Sequence, residues 1–130
     1  MIYDADCGLC RFSLALLLVL DRGGALHPLP LGTPEANSLL VELTEGQRNC
    51  SWHLIDENGR RHSAGAALAP ALSLLRGGRA PAALLARAPH ITERAYRWVA
   101  DHRGALGRFV PARARRWADR VIAAHAGRPQ

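Results

Sequence analysis

The chain has 130 residues, 48% of them hydrophobic and 22% charged, which fits one globular domain and excludes wholesale disorder. Alanine (23) and leucine (20) dominate and aromatic residues number seven, so the composition favours helices over an all-β fold. The net charge is +6, and all 17 basic residues other than histidine are arginines. The absence of lysine indicates a codon bias, so we interpret the arginines as a dispersed, solvated surface and predict no nucleic-acid partner.

The cysteine count and the apolar runs predict where the protein resides. Three cysteines are too few, and odd in number, for the disulfide framework of a small secreted protein. The longest apolar run, residues 12–20, is shorter than a membrane span, so no transmembrane segment is predicted. Two aspartates precede this run and no small-residue cleavage site follows it, which argues against a signal peptide. We therefore predict a cytoplasmic protein.

The N-terminal half of the chain predicts alternating strands and helices. A very short strand at residues 1–3 precedes a helix at 9–20, which is apolar nearly all round and is therefore expected to be buried. A strand at 25–31 follows, although its two prolines limit its pairing. A threonine N-cap and a proline at the first helical position then begin a helix over 34–43, and residues 44–49 read as a polar loop.

The C-terminal half begins with a hairpin and continues as helices. Residues 50–56 and 61–63 are predicted strands, joined by a turn at 57–60 that ends in Asn-Gly-Arg. A helix over 65–75 follows. Three further helices are predicted at residues 81–87, 91–102 and 111–124.

This order of elements predicts an α/β fold. Two parallel strands joined by a helix, followed by an antiparallel hairpin and a covering helix, form a thioredoxin-like core of the order β-α-β-α-β-β-α. We assign this core to residues 1–80. Residues 81–130 are predicted to form a helical C-terminal extension that packs on the core, so that the whole chain is one domain.

Two cysteines at the start of the first long helix are the strongest chemical signal. Cys7 and Cys10 are separated by two residues and follow the first predicted strand. The first-turn N–H groups and the helix dipole stabilise a thiolate at this position. Cys7 is therefore predicted to attack a substrate disulfide, and Cys10, one turn further along, to resolve the mixed disulfide.

Two other uses of these thiols remain open. Cys50 and His53 are spaced suitably to complete a zinc site with Cys7 and Cys10, but on a strand beginning at Cys50 their side chains would point to opposite faces. The pair could also be buried, inert thiols. The redox interpretation is preferred, and neither a metal nor a cofactor is predicted.

The residues around the cysteines resemble a known family. Residues 3–10 (YDADCGLC) are similar to the YDxxCxxC signature of the DCC family of thiol-disulfide oxidoreductases. The resemblance extends to the DENG turn at 56–59, the Gly-Ala-Ala at 65–67 and the stretch 96–103 (YRWVADHR), and it spans residues 1–108. It implies a thioredoxin-like fold, a disulfide-containing protein or low-molecular-weight thiol as substrate, and a thiol reductant that recycles the enzyme.

Two aspartates belong to the same candidate site. Asp6 directly precedes Cys7, and its first interpretation is a helix cap. Asp4 ends the first strand, and the family resemblance favours a functional role for it. A carboxylate near the pair opposes thiolate formation but can accept the proton of the resolving thiol. The candidate catalytic residues are therefore Cys7, Cys10, Asp4 and Asp6.

The chain departs from thioredoxins ahead of its third strand. Thioredoxins place a cis-proline there, whereas residues 49–51 contain none, so docking of a substrate backbone at this point is not assumed. Cys50 occupies that neighbourhood. It is either a buried residue at the start of a strand or a third redox thiol within reach of the pair.

The arginine-rich tail supports an alternative function. Basic residues concentrate in the last predicted helix beside Trp117, Val121 and Ala124, which fall on one helical face. That face is expected to pack on the domain while the arginines face water. The alternative is a non-catalytic, thioredoxin-like binding module whose Arg-rich helix contacts a protein or an anionic surface.

Overall fold

The computed structural model describes residues 1–127 and contains a four-stranded sheet in the order β2-β1-β3-β4. The strands are β1 (Ile2–Tyr3), β2 (Leu29–Pro30), β3 (His53–Ile55) and β4 (Arg61–Ser63). β1 is parallel to β2 and antiparallel to β3, and β3 is antiparallel to β4. This arrangement is consistent with the predicted thioredoxin-like core followed by a helical C-terminal part. Positions 128–130 of the predicted extension lie outside the described residues.

Helices account for most of the remaining chain. They are α1 (Gly8–Leu20), α2 (Pro34–Leu39), α3 (Glu45–Asn49), a short 3-10 helix (Ala64–Ala67), α4 (Leu68–Ser73), α5 (Arg79–Arg87), α6 (Pro89–Asp101), α7 (Arg103–Arg108) and α8 (Ala112–Ala126). Two of these elements, α3 and α7, were not predicted from the sequence.

The segment before β3 corrects two predictions. Residues 44–49 were expected to be a loop, but Thr44 begins α3 with a capping box: its hydroxyl accepts from Gln47 N (3.3 Å) and Gln47 Oε1 accepts from Thr44 N (2.9 Å). Cys50 is the C-cap of α3, so it is neither in a strand nor buried. β3 begins three residues later, at His53.

The two faces of the sheet carry separate apolar layers. Tyr3 belongs to the larger cluster, with Leu14 and Leu18 of α1 and residues of α4 and α8. Ile2 points the other way, into a smaller cluster with α2, as the alternation of side chains along a strand requires. β1 is therefore an interior strand despite its two residues. β2, which contains Pro30, is an edge strand, where a missing N–H costs no ladder bond.

The first helix is not buried on all sides, contrary to the expectation from its composition. Leu14, Ala15 and Leu18 are buried, but Leu16 is 45% exposed and Leu20 is 53% exposed. An exposed apolar face on the helix that carries the cysteines marks a candidate contact surface.

Helix α8 packs on another side of α1. The rings of Phe12 and Trp117 lie 6.0 Å apart, and Arg11 Nη1 lies 2.8 Å from Asp119 Oδ1. Ala118 and Ile122 are the buried residues of α8, whereas Ala124, expected on the packed face, is exposed. No helix among the described residues is long and apolar enough to cross a membrane.

Candidate active site at the start of the first helix

Cys7 caps the helix that it precedes. Its backbone is extended (φ −85°, ψ 108°), and its Sγ accepts a hydrogen bond from Cys10 N at 3.2 Å. The predicted cap, Asp6, is wrong: its side chain is exposed, and its own N–H donates to Asp4 Oδ1 at 2.9 Å. The Cys7 sulfur takes the position that a capping oxygen usually occupies. Cys7 Sγ therefore lies at the N-terminus of α1, within hydrogen-bond distance of a backbone donor.

The surroundings of Cys10 favour the protonated form of its thiol. Burial, a hydrogen bond with the Cys7 side chain and the charge of Cys7 raise the pKa of the Cys10 thiol to about 12. Asp4 acts in the same direction, and Arg103 opposes it. Cys10 is therefore a neutral thiol at physiological pH. Neither cysteine is in a disulfide, and each is partly exposed.

Arg103, the first residue of α7, joins the segments that flank the pair. Its Nη1 lies 3.5 Å from Asp4 Oδ2 and donates to the carbonyl oxygen of Asn49 at 3.1 Å. Both members of the ion pair are about one-third exposed, so the pair adds little to stability. Through these two contacts, α7 places a positive charge beside Asp4 and binds the backbone at Asn49, directly before Cys50.

An apolar cavity of about 470 Å³ opens beside Cys10. Its walls come from α1, α4, α5 and α6, and include Leu16, Leu72, Leu85 and Val99. Its polar residues include Asp4, Ser13, Cys50, Thr92 and Arg103. The exposed apolar face of α1 therefore lines this cavity in part, and the exposed Cys50 shares it with Cys10.

The main chain of Trp52, directly before β3, is hydrogen-bonded within the protein. The described residues contain no cis peptide bond. Tyr96 Oη accepts from Trp52 N at 2.8 Å, and the Trp52 carbonyl accepts from Ala64 N at 3.1 Å. Burial and neighbouring groups raise the pKa of Tyr96 to about 12, so its hydroxyl stays neutral. Trp52 thus has neither backbone group free to pair with an extended peptide.

A basic cleft lies on the other side of the pair, beside Cys7. Arg103 and Asp4 line both the cleft and the cavity. The charged residues that line the cleft are Asp4, Asp6, Arg11, Arg103, Arg108 and Arg115. Arg115 donates to the carbonyls of Val110 and Gly107, both at 3.0 Å, and Arg108 has no carboxylate within 4.0 Å among residues 1–127. Arginine therefore outnumbers aspartate around Cys7.

The residues considered for zinc do not come together. His53 is fully buried, with Nδ1 2.8 Å from Ser63 Oγ and Nε2 3.1 Å from the Arg48 carbonyl oxygen. Both ring nitrogens are engaged, and burial lowers the pKa of the imidazole. Within the described part of the chain, no three His, Cys, Asp or Glu side chains are placed to hold a metal ion.

The structure brings Cys7, Cys10 and Asp4 together, and places Asp6 on the rim of the cleft. The sequence interpretation did not assign roles to Arg103 or Tyr96. Both fall within the 96–103 stretch that carries part of the family resemblance, which was the available signal. Their contacts with Asp4 and Trp52 span more than 40 residues of sequence and have no local pattern.

Comparison with known proteins identifies the family. The family model described as DCC1-like thiol-disulfide oxidoreductase matches residues 1–109. No curated protein and no solved structure matches the chain. The chain therefore belongs to the DCC1-like family, and this membership indicates a role in thiol-disulfide exchange. The match ends near the start of α8 and includes the helices that supply Tyr96 and Arg103.

Proposed function

We propose that this DCC1-like chain is a disulfide reductase in which Cys7 is the nucleophile and Cys10 the resolving thiol. The observation that carries the proposal is the difference between the two sulfurs. Cys7 Sγ accepts an N–H bond at the helix N-terminus, whereas the surroundings of Cys10 hold its proton. A dithiol whose first sulfur lies at a helix N-terminus and whose second sulfur keeps its proton can attack first and resolve second.

The reduction of one substrate disulfide balances between the dithiol and the substrate. The Cys7 thiolate attacks one sulfur of a substrate disulfide, the substrate S–S bond breaks, and the first substrate thiolate leaves. Cys10 then loses its proton and attacks Cys7 Sγ, which breaks the mixed disulfide and releases the second substrate thiolate. The substrate gains two electrons, the protein forms a Cys7–Cys10 disulfide, and a recycling thiol reductant must restore the dithiol.

Asp4 and Arg103 assist the second step in this proposal. Asp4 lines the cavity with Cys10 and contributes to the high pKa of its thiol, and we assign it the role of receiving the Cys10 proton. Arg103 lowers that pKa and steadies the negative charge that develops on sulfur. Asp6, exposed on the cleft rim, is assigned only an effect on the charge of the cleft.

Active-site variants test the assignment with a matched control. Cys7→Ser should abolish turnover of a small disulfide by thiol reductant, and Cys10→Ser should accumulate a mixed disulfide at Cys7 that is detectable by mass. Cys50→Ser, on the same cavity, should turn over like the wild type. Retained turnover in Cys7→Ser, or trapping at Cys50 in place of Cys7, would refute the proposal.

Partners and location follow from this chemistry. We infer a disulfide-containing protein or a low-molecular-weight disulfide as substrate, and a cytoplasmic location, where thiols are held reduced.

The binding-module alternative has weaker support. One face of α8 packs on α1, and Arg113, Arg116 and Arg120 are exposed. Replacing these three arginines by glutamine removes the basic surface while leaving the Trp117 contact in place. The oxidoreductase proposal expects unchanged turnover of a small disulfide in this variant.

A further inference from the structure

The dithiol lies between two surfaces of different chemistry. The cavity beside Cys10 is lined mainly by apolar side chains, and the cleft beside Cys7 is lined by four arginines and two aspartates. Asp4 and Arg103 belong to both, so the two surfaces adjoin each other at the site of exchange. A ligand that contacts both must be apolar in one part and anionic in another.

We infer that the cavity and the cleft together bind a low-molecular-weight disulfide that has an apolar body and an anionic group. The apolar body fills the cavity, the anionic group faces Arg108 and Arg115, and the disulfide lies between them, next to Cys7. This inference rests on the proposed function and specifies its substrate class.

The cavity has the size and composition of a small-molecule site. Its volume of about 470 Å³ falls in the range of pockets that hold compact ligands, roughly 300–1,000 Å³. Leu16 of α1 contributes to its wall although it is 45% exposed, so apolar surface is left uncovered next to the thiols. Covering this surface with an apolar ligand removes it from water, which favours binding.

The main chain around the site argues for a small ligand rather than an extended peptide. Both backbone groups of Trp52 are bonded internally, the Asn49 carbonyl accepts from Arg103, and the Cys50 N–H donates to the Gly46 carbonyl. A peptide added as a strand obtains its affinity from such main-chain groups. These four backbone groups are already bonded, and side-chain surfaces remain to provide recognition.

The charge of the cleft supports an anionic group. Arg108 is exposed and has no carboxylate within 4.0 Å among the described residues, and the guanidinium of Arg115 bonds only to backbone carbonyls. A carboxylate on the ligand would complement both. Asp4 pairs with Arg103 and Asp119 pairs with Arg11, so Arg108 and Arg115 remain with Asp6 as their only carboxylate in the lining, an excess of one positive charge.

Single-turnover oxidation of the prereduced protein by four disulfides tests the inference. Dithiobis(nitrobenzoate) is aromatic and anionic, dithiodipyridine is aromatic and neutral, dithiodiglycolate is aliphatic and anionic, and bis(hydroxyethyl) disulfide is aliphatic and neutral. Each rate constant is divided by that of free dithiothreitol with the same disulfide, which cancels intrinsic reactivity. We expect the normalised rate of the aromatic anionic compound to exceed each of the others by about tenfold, a difference of about 1.4 kcal/mol.

Two pairs of variants test whether the cavity gives the preference for aromatic disulfides and the cleft the preference for anionic ones. Ala95→Phe fills the cavity from α6 and should reduce the preference for aromatic disulfides about tenfold, whereas Ala86→Phe, at an exposed position that does not line the cavity, should keep it. Arg108→Gln should reduce the preference for anionic disulfides, and Arg94→Gln on α6 should not. If Ala95→Phe does not fold, as judged by circular dichroism, Leu16→Trp fills the cavity from α1.

The outcomes separate the inference from the proposed function. Equal normalised rates for all four disulfides, or a preference that survives both Ala95→Phe and Leu16→Trp, would overturn the inference and leave the oxidoreductase proposal standing. If none of the four forms the Cys7–Cys10 disulfide, the proposed function itself fails. Faster reduction of an unstructured peptide disulfide than of any of the four would also overturn the inference.

Discussion

Alkylation of Cys10 in the folded, reduced protein should be much slower than alkylation of the same residue in urea. The pKa of Cys10 is about 12, against 9.0 for an ordinary cysteine thiol, so at pH 8 its thiolate fraction is about a thousandfold smaller. A more basic thiolate is also more nucleophilic, and a Brønsted slope of about 0.4–0.5 recovers roughly twentyfold. The two effects leave a reaction about fiftyfold slower before any loss of access.

The assay is timed labelling with iodoacetamide at pH 8, followed by peptide mass mapping that resolves the three cysteines. Cys7→Ala should raise the Cys10 rate only in part, because it removes the hydrogen bond and the like charge but leaves burial, the largest cause, in place. Cys50→Ala is the matched control and should leave the rate unchanged. Labelling of Cys10 at the unfolded rate in the wild type would refute the assigned environment and the division of roles built on it.

Three further predictions concern the packing and hydrogen bonds of residues around the site. Tyr96→Phe leaves the Trp52 N–H without its partner at 2.8 Å and should lower the free energy of unfolding in urea by about 1–3 kcal/mol, whereas Tyr3→Phe, which removes no hydrogen bond, should cost much less. Gly65→Ala would place a methyl group 2.8 Å from the Cα of Glu93 on α6. Because this contact is too close, we expect a lower urea midpoint of unfolding and slower disulfide turnover. An unchanged urea midpoint would contradict this close packing of Gly65 on α6. Burial lowers the pKa of His53 below 6.5, so the unfolded chain binds more protons there and stability should fall as the pH decreases below 6.5. His53→Gln should reduce this pH dependence, as measured by urea unfolding between pH 7.5 and pH 5, and an equal slope in both proteins would count against it.

Local sequence signals predicted most of the core and the central pair. The strand before Cys7, the long helix after it and the hairpin at residues 56–60 each depend on neighbouring residues, and the structure contains all three. The error at residues 44–49 came from the polar composition, which suggested a loop. Thr44 and Gln47 have the spacing of a capping box, a signal that the sequence interpretation did not use.

The parts that sequence did not predict depend on contacts between distant segments. The composition of α1 suggested burial on every side, yet the apolar face near Leu16 borders a cavity whose opposite wall comes from α5 and α6, about 70 residues later. Helix length and hydrophobicity contain no information about whether such a space is filled. Likewise, no local pattern indicates that Arg103 would reach Asp4 or that Tyr96 would accept a hydrogen bond from the Trp52 N–H.

A redox titration in graded thiol/disulfide buffers, with free thiols trapped and mapped by peptide mass, tests the central claim most directly. The proposed function predicts a single two-electron transition that involves Cys7 and Cys10 together, while Cys50 remains unlinked to either. The midpoint of that transition would give the reduction potential and hence the favoured direction of exchange. If Cys7 and Cys10 never link, or if either forms its intramolecular disulfide with Cys50 instead, the claim is contradicted.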